Sequence, residues 1–243
     1  MGALSGRRIL ITGISRGVGF ETARLFLAEG AEVLGTARDP GRLEAARALL
    51  TDGHRPSGVG RLTTLAGDVR SPELPARLAA AVAERWGALD ILLNNAGIQI
   101  DGAARGLMDG ADAEAVTQQS LDVNLTAPYR LARALLPPLR RGREPRIMNV
   151  SSGAGTLQDM RLAGIASYRL SKWALNGLTM LLATELAGAV AVNAFDPGWV
   201  KTELGGPNAP GHPAESARAA LHLATLPFSE TGKLWKNGEA ISF

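Results

Sequence analysis

The 243-residue chain contains no cysteine, which excludes disulfide frameworks, thiolate metal sites, iron–sulfur clusters and a cysteine nucleophile. Histidine is scarce: His54, His212 and His222 are scattered and form no HExxH or other metal-ligand spacing. Tyrosine occurs twice, and aromatic residues make up only 5%. Charge of one sign is also lacking, since 26 basic against 23 acidic residues leave a net charge of +3. The basic residues are spread along the chain, with lysine only at 172, 201, 233 and 236. That is the pattern of solvated helix faces, not of a nucleic-acid surface. No run of about eighteen apolar residues exists, which argues against a helical membrane span. Met1 to Gly6 leads into no long apolar segment and misses the myristoylation pattern, because Gly6 stands where Ser or Thr is needed. A cytoplasmic protein is expected.

With 46% apolar and 20% charged residues, the chain can bury a sizeable core and is not intrinsically disordered. Short β-rich runs alternate with longer helical patterns. Strands are expected at Arg8–Thr12, Glu32–Thr36, Leu62–Ala66, Leu89–Leu93, Arg146–Val150 and Ala189–Phe195, with a last one near Gly238–Ser242. Helices are expected over about Gly17–Glu29, Asp39–Leu50, Ser71–Trp86, Ala113–Leu139, Ile165–Leu186 and Ala214–Thr225, with Asp39 and Ser71-Pro72-Glu73 as caps. Thr51–Gly60 reads as loop. No repeat or linker divides the chain. The alternation predicts a single α/β domain over residues 1–243, a doubly wound parallel sheet of about seven strands with helices on both faces. Ligands then bind beyond the carboxyl ends of the strands.

Thr12-Gly13-Ile14-Ser15-Arg16-Gly17-Val18-Gly19 lies between the first strand and the first helix. Gly13 allows the tight turn, Gly17 lets backbone approach a pyrophosphate, and Gly19 lets helix and strand pack closely; the helix N-terminus supplies amides and a favourable dipole. The spacing is GxxxGxG, not GxGxxG. An acidic residue at the end of the second strand would bind a ribose 2′-hydroxyl and repel a 2′-phosphate. Here the sequence is Thr36-Ala37-Arg38-Asp39, neutral and then cationic. Arg38 can fork onto a phosphate, Arg16 is a second candidate, and Asp39 is accounted for as a helix cap before Pro40. NADP(H) is therefore expected over NAD(H).

Tyr168 and Lys172 stand four apart on an expected helix, hence on one face. An ammonium beside a phenol favours the phenolate and would lower its pKa toward working pH. Thr12–Gly19, Asn94-Asn95-Ala96-Gly97, Asn124, Asn149-Val150-Ser151-Ser152, Tyr168/Lys172 and Pro197-Gly198 follow in order. Together they closely resemble the short-chain dehydrogenase/reductase family over essentially the whole chain, with its Rossmann-like fold. The resemblance implies Ser152 as hydrogen-bond donor to a substrate carbonyl and Tyr168 as general acid in reduction. It implies Lys172 as the group that holds the nicotinamide ribose and lowers the phenol pKa, and Asn124 as support of a water-linked proton path. It further implies cofactor contacts at Asp68 and Val69 (adenine), at Asn94, Asn95, Ala96 and Gly97, and at Pro197, Gly198, Val200 and Thr202, of which Val200 and Thr202 fix the carboxamide.

Other readings of single residues stay open. Ser151 could be the active serine, Asn94 and Asn124 could be structural hydrogen-bonders, and Asp68 could be a turn residue. Sixteen positions separate Ser152 from Tyr168, about three more than is commonest in the family, and the extra residues fit within Gly155–Gly164. That spacing and Gly206–Pro210 resemble carbonyl-reductase-type members more than fatty-acid β-ketoacyl reductases. The expected activity is reversible hydride transfer between NADP(H) and a small-molecule ketone, aldehyde or secondary alcohol; the alternative is a non-catalytic NADP(H)-binding redox sensor. A nucleotide-fold transferase would leave the Tyr–Lys pair unexplained. Candidate pocket walls are Ile98, Leu157, Met160, Trp173, Trp199 and Leu204, under a mobile flap at 201–213. Neither nucleic acid nor membrane is an expected partner. A homodimer or homotetramer through Ala113–Leu139 and Ile165–Leu186 is.

Overall fold

The structure, a computed structural model of the chain, describes residues 2–51 and 60–243. The described residues form an eight-stranded sheet of order β3-β2-β1-β4-β5-β6-β7-β8. Its strands are β1 (Arg8–Thr12), β2 (Glu32–Ala37), β3 (Arg61–Ala66), β4 (Ile91–Asn94), β5 (Arg146–Val150), β6 (Ala191–Phe195), β7 (Leu234–Lys236) and β8 (Glu239–Ile241). All pairs are parallel except β7 with β8. The helices are α1 (Gly17–Ala28), α2 (Pro40–Thr51), α3 (Leu74–Trp86), α4 (Ala113–Leu121), α5 (Ala127–Leu139), α6 (Ala166–Glu185) and α7 (Pro213–Thr225).

The apolar strands are buried on both sides, and their two-residue period sorts them into two cores. Ile9, Ile11, Val33, Ile91, Leu93, Met148 and Val150 pack beneath α1, α2 and α7 with Phe26, Leu43 and Leu223. Leu10, Leu34, Leu92, Ile147 and Val192 point the other way, onto Leu78, Val82, Leu131, Leu135 and Ala183 of α3, α5 and α6. This is the doubly wound architecture that the alternation predicts.

Three expectations needed correction. About seven strands become eight, because Leu234–Lys236 pairs with Glu239–Ile241 around Asn237 and Gly238. Both turn residues have positive φ, 53° and 84°, as a two-residue hairpin requires, and the Asn-Gly pair was its sequence signal. Second, Ala113–Leu139 is not one α-helix. Residues Asp122–Thr126 form a π-helical turn between α4 and α5. Pro128, which opens α5, has no N–H to give the carbonyl of Asn124 four residues earlier. Third, α3 has no side-chain cap; Ser71 instead hydrogen-bonds the Glu73 carboxylate. Asp39 does cap α2, accepting from the Arg42 amide at 2.9 Å. Most of the expected loop at Thr51–Gly60 lies outside the described residues.

The far end of the sheet is clamped by Asp90. Its carboxylate accepts from the Arg8 amide, Nε and Nη2 at 2.8, 3.0 and 2.8 Å and from the Arg143 amide at 2.6 Å, tying β1 to β4 and to the turn before β5. Burial works to raise the carboxyl pKa, but the bonds from Arg8 and Arg143 together outweigh it and hold the group below its usual range. A carboxyl depressed in the fold stabilises it above the ordinary carboxylate pKa and loses that contribution as the pH falls through the folded value. Asp90→Ala should lower unfolding stability by about 3 kcal/mol at neutral pH, by denaturant titration, with the deficit shrinking as the pH falls through the carboxyl's folded pKa.

Candidate active site

The carboxyl ends of β1, β2, β4, β5 and β6 open onto a cleft of about 1710 Å³. At its centre the chain leaves β1 through the glycine-rich loop. Gly17 has φ +59°, and a Cβ at Gly19 would lie 2.3 Å from both the Gly13 carbonyl oxygen and Asn95 Nδ2. Neither position accepts a side chain without rebuilding the loop. No side chain caps α1 at Arg16, so Gly17, Val18 and Gly19 present the start of that helix to the cleft.

Thr12 and Asn95 pin this loop. The Thr12 hydroxyl accepts from the amides of Asn95 and Ala96 at 3.0 and 2.9 Å, and Asn95 Nδ2 donates to the carbonyls of Thr12 and Gly13 at 2.7 and 3.1 Å. Asn94 takes no part in the cleft. It is buried, and its Nδ2 donates to Asn149 Oδ1 at 2.8 Å, with Asn149 in turn donating to Thr179 of α6. Its side chain ties two strands together beneath the cleft lining.

Ser151 and Ser152 have different surroundings. The Ser151 hydroxyl is buried and donates to Asn176 Oδ1 at 2.6 Å. Ser152 caps the 3₁₀ turn at Gly153–Gly155, accepting from the Ala154 amide at 3.1 Å, and its hydroxyl acts on the Tyr168 phenol. Gly155 permits that approach, since a Cβ there would sit 2.6 Å from the Lys172 carbonyl carbon. Lys172 Nζ donates to the Val150 carbonyl at 2.8 Å and lies 5.6 Å from the centre of the Tyr168 ring.

The ammonium does not lower the phenol pKa in this structure as the i, i+4 spacing suggests. Burial pushes Tyr168 up to about 12; the Ser152 hydrogen bond works downward, and the charges of Asp196 and Asp101 add to the rise. Burial also pushes Lys172 down to about 8, against the pull of Asp196. The amine is directed at a backbone carbonyl and at the ring face, so desolvation dominates both groups.

Asn124 sits in the π-helical turn, outside the cleft lining. Its Oδ1 accepts from the Ile98 amide at 2.9 Å, and its Nδ2 donates to the Ile98 carbonyl and to Ser171 Oγ at 2.8 and 2.9 Å. Ser171 passes the bond on to the Tyr168 carbonyl at 2.7 Å. The side chain is thus committed to holding α6 against the loop after β4.

Of the other expected contacts, Gly13, Ser15, Arg16, Arg38, Asp68, Val69, Asn95, Ala96, Gly97, Pro197, Gly198, Val200 and Thr202 all border the cleft. Arg38 is exposed at the end of β2, and no hydrogen bond or ion pair reaches it among the described residues. Asp68 is paired with Arg70 at 2.8 Å, which lowers its carboxyl pKa. The segment expected as a flap is pinned at its base, where Lys201 N donates to the Gly211 carbonyl and Gly211 N to the Trp199 carbonyl. Its tip carries Glu203, which hydrogen-bonds Arg16 and also reaches Arg42 at 3.4 Å. Ile98, Trp199 and Leu204 line the cleft as expected; Leu157 borders a separate cavity of about 580 Å³, and Met160 and Trp173 border neither. The motif reading missed Asp101, Asn176 and Glu203. No local pattern signals them, because each acts on a residue far away in sequence.

The family model for short chain dehydrogenases matches residues 7–212. The chain belongs to the short-chain dehydrogenase family. A curated relative, the 3-oxoacyl-(acyl-carrier-protein) reductase FabG of Vibrio cholerae, is 35% identical over 202 residues, covering 83% of this chain and 76% of that protein. The NADPH-bound carbonyl reductase from chicken fatty liver superposes with TM-score 0.85 at 29% identity, covering 99% and 100% of the two chains. The carbonyl reductase Sniffer of D. melanogaster gives TM-score 0.85 at 28% identity over 98% and 100%. Membership makes the chain an oxidoreductase that binds a nicotinamide cofactor, and carbonyl-reductase-like short-chain dehydrogenases are among its structural neighbours. No helix is long and apolar enough to cross a membrane among the described residues, nor do three His, Asp or Glu cluster there for a metal.

The cleft of this short-chain dehydrogenase rests on the Thr12 hydroxyl. Thr12→Val keeps the shape but strands two amides, so we expect about 2–4 kcal/mol lower stability in denaturant titration.

Proposed function

We propose that the chain is an NADP(H)-dependent reductase of ketones or aldehydes, reversible as an alcohol dehydrogenase. The observation that carries the reading is that Ser152, Tyr168 and Lys172 converge on one glycine-floored cleft, with Lys172 Nζ 5.6 Å from the centre of the Tyr168 ring. The residues fit a dinucleotide: a Cβ at Gly17 would press on Thr202 across the cleft, and one at Gly97 would sit beside Lys172 Nζ and Asn124 Oδ1.

In this reading the bound dinucleotide supplies the hydride. Gly13, Ser15, Gly17, Val18 and Gly19 hold its pyrophosphate at the start of α1, Asp68 and Val69 flank the adenine, and Asn95, Ala96 and Gly97 border its middle. Pro197, Gly198, Val200 and Thr202 border the nicotinamide end, and Lys172 holds the ribose. Ser152 donates to the substrate oxygen and stabilises its developing charge, while Tyr168 delivers the proton. A phenol held near 12 by burial is a firmly protonated acid at neutral pH, which suits the reductive direction. Asn124 keeps α6 in register rather than carrying protons through its side chain.

Arg38 supports the coenzyme choice. It is a cation with open hydrogen-bonding capacity where a 2′-phosphate belongs, while Asp39 is engaged as a helix cap. Ile98, Trp199 and Leu204 favour an apolar carbonyl compound. Trp173, Met180 and Leu181 are exposed on α6, and we assign that face to a homodimer or homotetramer of a cytoplasmic enzyme.

Two expectations follow. Tyr168→Phe should reduce carbonyl turnover at least about a hundredfold while the Kd for NADPH, from fluorescence titration, changes less than about twofold; parental turnover would remove Tyr168 from the role of acid. Arg38→Ala should raise KM for NADPH about tenfold and leave KM for NADH nearly unchanged in a coenzyme-oxidation assay.

A further inference from the structure

Helix α6 presents Tyr168, Ser171 and Lys172, yet its start is poorly provided for by its own sequence. Ile165, just before it, is a β-branched residue with φ +43°, and its side chain caps nothing. The missing acceptors come from the loop after β4. The Arg105 carbonyl accepts from the Ala166 amide at 3.2 Å, and Asp101 Oδ2 accepts from the Tyr168 amide at 3.1 Å, across 67 positions of sequence.

Asp101 is only 4% exposed, and its other oxygen, Oδ1, is buried with no hydrogen-bond partner among the described residues. Leaving a carboxylate oxygen so is costly, and a neutral amide would cap the helix as well. What an amide would not bring is a negative charge acting on the phenol. The charged groups near Tyr168 are Asp101, Asp196 after β6 and Lys172 on its own helix, with the Ser152 hydroxyl also acting on the phenol; Arg105 feels the charge of Asp101 from the same loop. Asp196 is itself paired with Lys236 at 3.0 Å, whereas Asp101 makes no ion pair among the described residues.

We propose that Asp101 is a positioning residue for Tyr168: one oxygen fixes the turn that presents the phenol, and its charge opposes a phenolate there. The inference rests on Tyr168 being the acid of the proposed reaction, but it can be read without that reaction. Tyr129 and Tyr168 are the chain's two tyrosines, so in a Tyr129→Phe background the near-ultraviolet phenolate band reports Tyr168 alone. In that background Asp101→Asn should bring the phenol's titration midpoint down by about half a pH unit, giving about threefold more phenolate at a fixed alkaline pH. Amide exchange at Tyr168 should stay slow in Asp101→Asn and quicken at least about tenfold in Asp101→Ala.

Asp101→Glu, which keeps the charge, should retain the parental midpoint. If Asp101→Asn does not fold, Asp101→Ser, neutral with an acceptor oxygen, carries the same expectation. An unmoved midpoint in the folded neutral variant overturns the role of charge, and unchanged exchange in Asp101→Ala overturns the role in positioning. Absence of reductase activity on every carbonyl tested would remove the proposed reaction and leave the phenol measurement intact.

Discussion

A seam of buried polar side chains between α6 and the carboxyl ends of β4 and β5 determines where every reactive group stands. Asn94 bonds Asn149, which bonds Thr179; Ser151 bonds Asn176, which bonds the Gly155 carbonyl; Asn124 bonds Ser171, which bonds the Tyr168 carbonyl. In a low-dielectric interior each of these bonds is stronger than in water, and each unmade one is correspondingly expensive. The seam therefore behaves as one unit. An apolar contact between helix and sheet could slide by a fraction of a turn; a row of paired amides has one register. Tyr168 and Lys172 inherit their placement from that register, and Ser152 inherits its own from the turn that Asn176 holds.

The same burial that makes the seam specific sets the proton chemistry. Tyr168 and Lys172 are moved toward their neutral forms by desolvation, the phenol upward and the amine downward. Spacing along a helix says that two groups share a face, but it does not say how dry that face is. That is why the phenol's direction of shift came out opposite to the simple expectation. Only packing decides which influence prevails.

The fold was largely legible because its signals are local. Compact apolar runs, Gly30 after the first helix, and the Asp39-Pro40 cap each act within a few residues, and the observed elements begin and end close to those marks. The cleft's floor was legible for a similar reason, since Gly13, Gly17 and Gly19 solve a steric problem inside one loop. What the expectations lack is mostly nonlocal. Asn237-Gly238 is the exception, a local hairpin signal that sets β7 ahead of the single strand expected there. Asn94 could not be assigned, because an amide beside a cleft and an amide beneath it look alike until the neighbouring strand is placed. Asp101 and Glu203 meet their partners across long stretches of chain, and nothing adjacent to either announces it. Met160 and Trp173 show the converse error, with apolar character taken as a pocket wall where the chain turns them elsewhere.

The π-helical turn at Asp122–Thr126 has a geometric consequence of its own. One surplus residue in an otherwise regular spiral rotates everything beyond it by about 100°. The outward stripe of α4 is thus out of phase with that of α5, although the two run on as one rod. Excising a single residue there would bring the two halves back into phase and at the same stroke turn Ser120 and the rest of the first half away from their present neighbours, while Pro128 would still lack an N–H to donate. The irregularity works as a phase shifter, letting one continuous stretch of chain face α6 along its first half and α3 along its second.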